Sequence, residues 1–164
     1  NNNYLESLRL IDTLINTYPK NLVINNTKID ILLEAERYEE ALNLVNEFLE
    51  ISPKNYPLSV SKSKILLSMS KFFESEEIIR DQLLRKNNNP DLWFLLSEIQ
   101  RSSKNIIGYH QSRAEYFILL GQNQRALNQL EYALKLTQNN FQVSETIMTK
   151  IIDIKKELNK YRGL

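Results

Sequence analysis

The chain has 164 residues, with 21 basic against 20 acidic side chains, no cysteine, three glycines and four prolines. That length suits one domain or one repeat array, and a hydrophobic content of 42% supplies core material for a folded chain. So few glycines and prolines cannot punctuate a sandwich or barrel, missing cysteines exclude disulfides and thiolate metal sites, and the even charge speaks against a dedicated nucleic-acid binder.

The hydrophobic pattern predicts helices throughout, so the expected class is all-α. Helices are predicted over 3–17, 21–35, 38–51, 56–69 and 72–86. Pro53 stops the third, because proline lacks the N–H that the next turn needs. Asn87-Asn88-Asn89-Pro90 then opens a helix over 91–102, with proline and Asp91 suited to its first turn. A helix over about 104–120 ends at Gly121. The run Arg125–Leu134 forms another, and 141–160 carries Val143, Ile147, Ile151, Ile154 and Leu158 on one stripe, as a capping helix requires. The longest apolar runs, Leu92–Leu96 and Tyr116–Leu120, are far short of the ~20 residues of a membrane span.

These helices repeat. Tyr4, Tyr38 and Phe72 lie 34 apart, as do Ser7, Ala41 and Ser75, then Leu10, Leu44 and Ile78, then Ile11, Val45 and Ile79. Ala41 and Ser75 are small where two helix backbones cross, and Leu44, Val45 and Phe48 face the neighbouring helix. A 34-residue helical period resembles the tetratricopeptide repeat (TPR). The resemblance implies a solenoid of helical hairpins, with repeats at about 22–55 and 56–89, a helix at 90–102, a repeat at 107–140 and a cap at 141–161. Residues 1–164 form one array. Ala126 lies 51 residues after Ser75, one period and a half, so one extra helix is inserted. The array starts in mid-repeat, which is expected of a piece of a longer protein whose upstream helix covers Leu10, Ile11 and Leu14.

The stretch from Trp93 to Leu158 carries a more specific resemblance. Trp93-Phe94-Leu95-Leu96-Ser97-Glu98, Ser112-Arg113-Ala114-Glu115-Tyr116-Phe117 with Gly121, and Arg125-Ala126 with Gln129-Leu130 and Ala133-Leu134 are similar to the TPR tail of periplasmic zinc metalloproteases of the β-barrel assembly-enhancing type. The resemblance implies periplasmic residence and a protease domain, holding zinc on a His-Glu-x-x-His helix, outside these residues. It implies as partners the outer-membrane barrel-assembly machinery, client barrel proteins and the protease domain itself. The alternative is a free-standing TPR adaptor or scaffold. Lys28, Ile29, Lys62 and Arg113 depart from the usual TPR columns.

Within the chain no catalytic, metal or cofactor site is expected. His110 is the only histidine, and zinc proteases need two a turn apart. It reads as a surface or interhelix side chain, and Ser112, two residues on, points elsewhere. Glu36, Glu39 and Glu40, and likewise Glu74, Glu76 and Glu77, are expected at helix starts, where the dipole favours negative charge. Asn1–Asn3, Asn87–Asn89 and Asn139–Asn140 mark helix boundaries, which asparagine caps well. Trp93 and Phe94 point about 100° apart, so one is expected in the core. TPR grooves are lined mainly by first helices, which selects Asn26, Asp30 and Leu33, then Val60, Lys64 and Leu67, then Phe94, and finally Gln111, Glu115 and Ile118 as partner-binding candidates.

Overall fold

A computed structural model describes residues 2–137 and 140–162. Among these residues the elements are α1 (Asn2–Thr17), α2 (Leu22–Glu34), α3 (Tyr38–Ile51), α4 (Tyr56–Ser68), α5 (Phe72–Arg85), α6 (Pro90–Ser102), α7 (Ile106–Leu119), α8 (Asn123–Leu136) and α9 (Phe141–Arg162). No described segment is a strand. No described helix is long and apolar enough to cross a membrane.

Two kinds of turn join them. In the first, the chain leaves a helix through one left-handed residue: Glu36 (φ 59°), Ser70 (φ 60°), Lys104 (φ 62°) or Gly121 (φ 70°). The following N–H reaches back to a helix carbonyl, Arg37 to Leu32 at 2.9 Å and Lys71 to Leu66, Asn105 to Gln100 and Gln122 to Phe117 at 2.8 Å. This 6→1 bond satisfies a carbonyl that the helix end leaves open. The second kind ends on a capping asparagine. The N–H of Asn21, Asn55, Asn89 and Asn140 bonds the carbonyl of Tyr18, Ser52, Lys86 and Thr137 respectively. Each asparagine oxygen then accepts from the first turn of the next helix, from Val23, Leu58, Asp91 and Val143. Asn139 lies outside the described residues, as does Asn1.

Asparagine turns and left-handed turns alternate up to α7. That helix is entered through Lys104 and left through Gly121, both left-handed. It therefore closes a hairpin with α6 and opens another with α8, and this double duty is the half-step of 17 residues. Asn105 also caps it, accepting from Gly108 N–H at 3.0 Å. The predicted helices are all present, with α7 starting two residues later than the periodicity suggested because Asn105 is its cap.

The contacts form two compact units, Asn1–Ile79 and Arg80–Leu164. In the first, Leu8, Ile11, Ile29, Leu32, Ala41, Val45, Leu58 and Ile65 make the core. The sequence places Ile11 on an uncovered stripe. It is instead buried, while Leu10 and Leu14 are 65% and 47% exposed, because Ile11 faces the core shared with α2. Lys28 closes an ion pair with Asp12 of α1 at 2.7 Å. Ser63 and Ser75 cross at zero exposure. Each hydroxyl bonds the other residue's carbonyl, at 3.1 and 2.8 Å, and the two hydroxyls lie 2.8 Å apart. Small size lets α4 and α5 approach, and the reciprocal bonds satisfy polar groups that burial would otherwise penalise.

In the second unit the core of α7, α8 and α9 is Ala114, Ala126, Leu127, Leu130, Ala133, Ile147, Ile151 and Ile154. The α6–α7 contact is polar. Ser112 donates to the Gln100 side chain at 2.7 Å, with both residues buried. A Cβ on Gly108 would come within 2.8 Å of Gln100 Nε2 and 2.6 Å of Asn105 Nδ2, so glycine is what admits these side chains.

Candidate protein-binding surface

In the first unit the predicted lining residues of α2 and α4 are brought together. Asn26, Asp30, Leu33, Val60 and Leu67 are half-buried, and Lys64 is exposed. Ser61, a residue that the sequence reading did not select, ties the two helices. Its buried hydroxyl lies 3.1 Å from Asn26 Oδ1 and 3.2 Å from Asp30 Oδ1. The Asn26 amide donates to Asp30 Oδ2 at 3.2 Å. Partial burial raises the Asp30 carboxyl above the usual carboxylate range, the Ser61 hydrogen bond and the Lys64 charge pull against it, and Glu34 adds to the rise. Lys64 acts through space and makes no ion pair with Asp30. One serine in the run Ser59-Val60-Ser61-Lys62-Ser63 gives no sequence signal of this role, since the contact depends on how α2 and α4 lie side by side.

In the second unit the candidates meet different neighbours. Phe94 is 41% exposed and packs tilted against Tyr116, ring centroids 5.4 Å apart. Trp93 is half-buried and donates its indole N–H to the Asn87 carbonyl at 2.7 Å. Neither aromatic is therefore the core residue of α6; Leu92, Leu96 and Ile99 are. Gln111 and Glu115 are half-buried, and Glu115 is tied to Lys150 of α9 by an ion pair. Burial pulls the Lys150 ammonium below its usual range. Ile118 packs against the core of α7, α8 and α9. Glu115 and Ile118 thus serve the contacts of this unit, whereas Phe94 remains accessible.

Arg113 shows why. Counted nine residues from the left-handed residue, it stands where Val45, Ile79 and Leu130 are buried in α3, α5 and α8. Its guanidinium lies over three rings, Phe94 at 5.0 Å, Phe117 at 5.1 Å and Tyr116 at 5.3 Å. Among the described residues no carboxylate pairs with it, and its buried Nη1 has no hydrogen-bond partner. The rings offset part of that cost through cation–π attraction.

His110 sits between helices, its Nδ1 2.8 Å from Gln129 Oε1 and its ring stacked on Tyr132 at 5.5 Å. Ser112 points to Gln100, away from His110. Among the described residues no three histidine, aspartate or glutamate side chains cluster as metal ligands would.

The chain matches no family model and no curated protein. It is similar in structure to several TPR proteins. Residues 41 to the end of MamA from Desulfovibrio magneticus RS-1 align with a TM-score of 0.64 at 11% identity, over 94% of this chain and 86% of that one. A tetratricopeptide repeat protein from Parabacteroides merdae gives 0.57 at 13% identity, over 92% and 65%. A thermophilic TPR protein of Thermus thermophilus gives 0.55 at 11% identity, over 91% of each chain. Nine described helices, a 34-residue period and likeness of fold to these neighbours make this chain a TPR-type helical-hairpin fold.

Proposed function

We propose that the chain is a protein-binding module that presents partner-contacting side chains from the first helices of its hairpins. The observation that carries this is the α2–α4 strip. Asn26 and Asp30 are half-buried and held in place by buried Ser61, with half-buried apolar Leu33 and Leu67 on the same two helices. Hydrogen-bonding groups that are already ordered and still accessible can meet a partner with less ordering cost on binding. Photoreactive residues at positions 30, 64 and 115, crosslinked in living cells, test the reading. Positions 30 and 64 are expected to capture protein partners more efficiently than 115, whose glutamate is engaged by Lys150. Equal or absent capture at 30 and 64 overturns it.

The finer reading is that this module is the recognition arm of a periplasmic zinc metalloprotease of the β-barrel assembly-enhancing type, which engages the outer-membrane assembly machinery or client barrels. Its support is the motif run from Trp93 to Leu158. The coding sequence upstream of Asn1 tests it. A His-Glu-x-x-His motif together with a secretion signal is the expected result. Absence of both leaves a free-standing adaptor.

A further inference from the structure

Among the carboxylates of the described residues, Asp12, Glu40, Asp81, Glu98, Glu115, Glu131 and Asp153 each have a cation within ion-pair distance. In each of these pairs at least one partner is well exposed, where pairing matters least. Asp30 is half-buried, where a lone charge is most costly, and it has none. Its two oxygens are positioned by one neutral donor each, Ser61 on Oδ1 and Asn26 on Oδ2, at 3.2 Å. A carboxylate can accept about four hydrogen bonds, so half of its capacity stays open.

We infer that Asp30, cradled by Asn26 and Ser61, is the receptor for a lysine or arginine side chain of a bound protein segment. The occupant's charge follows from the anchored anion, and Glu34 one turn on adds negative potential. Its shape follows from Leu33, half-buried one turn beyond Asp30, which offers apolar surface to the aliphatic stem of a long basic side chain. A metal ion fits poorly, because one carboxylate with neutral amide and hydroxyl neighbours lacks the further anionic or imidazole donors that hold one. Lys64 flanks the site without closing it and sets a limit on the partner, since a second cation next to the first would meet like charge.

This inference rests on the protein-binding reading, and the test separates the two. A phage-displayed library of random dodecapeptides is selected on the whole chain, and the enriched peptides are measured by fluorescence anisotropy. The enriched set is expected to share a lysine or arginine. Changing that residue to norleucine, or Asp30→Asn in the protein, each weakens binding about tenfold or more. The two changes together weaken it no further than either alone. Ser61→Ala weakens it less, by loosening the carboxylate. Circular dichroism and the urea midpoint confirm that each variant stays folded. Enriched peptides without a shared cation, or equal affinity for wild type and Asp30→Asn, overturn the inference and leave the protein-binding reading standing. No enrichment at all overturns both.

Discussion

The two units solve the same packing problem with opposite chemistry. In Asn1–Ile79 the hairpins alternate regularly, the matching second-helix core positions Val45 and Ile79 are apolar, and a half-buried carboxylate without an ion pair, Asp30, sits on α2. In Arg80–Leu164 one helix serves two hairpins, and the matching core position on it holds a cation, Arg113, under three aromatic rings. The difference teaches that a helix with two partners cannot offer each a full apolar face. Helix α7 gives Ala114 and Ile118 to α8 and α9, and meets α6 through Gly108, Ser112 and the Arg113 cage.

The largest effect should come from truncating the shared core position in each unit. Ile79→Ala and Leu130→Ala should each cost about 2–5 kcal/mol in urea unfolding, the range for large-to-small core changes. Arg113→Leu, at the same position of α7, should be neutral or stabilising, because it removes a buried donor with no acceptor. A loss for Arg113→Leu as large as that for Leu130→Ala would show that the aromatic cage is worth a full core residue and would erase the contrast. Next comes Gly108→Ala. Its methyl would press on Gln100 and Asn105 and disturb the Gln100–Ser112 bond, at about 1–3 kcal/mol, while the higher helix propensity of alanine offsets roughly 1 kcal/mol. A midpoint at or above wild type would mean that the α6–α7 contact has slack.

The smallest effect concerns Asp30 and carries a sign. Its folded-state carboxyl binds a proton more tightly than in the unfolded chain. Wild-type stability therefore gains as the pH falls through the folded pKa, and the gain is complete below the unfolded value of about 3.9. At neutral pH the charged form is the costly one. Asp30→Asn is thus expected to raise the urea midpoint at pH 7 and to lose that advantage toward pH 4. A constant difference between the two pH values would sever the desolvation of Asp30 from stability.

Much of the fold was legible in the sequence, and the reasons are local. Tyr38, Ala41 and Val45 recur in kind at Phe72, Ser75 and Ile79, because each repeat meets the same neighbour in the same way. The distance from Ser75 to Ala126 betrayed the half-step. The candidate site was legible only in part. Helical spacing selected Asn26 and Asp30, but Ser61 joins them from another helix 31 residues or more away in sequence, and no periodicity encodes that meeting. Glu115 and Ile118 satisfied the spacing rule and were claimed by α9 and the core, since a helix that faces two partners has fewer free positions than the rule assumes. Ile11 was misplaced for a related reason: a stripe wide enough to look exposed has one edge turned inward.

The paired left-handed turns around α7 bear on how such a chain changes length. Because each left-handed turn closes with its own backbone bond, it works whatever helix comes next. The smallest piece that can be copied or lost is then one helix with its turn, not a hairpin. Homologous genes should differ by steps of about half a TPR, and each odd step would exchange which helices face the partner and which face away. Lineages could re-aim a binding face by a single duplication, with no change in any side chain that touches the ligand.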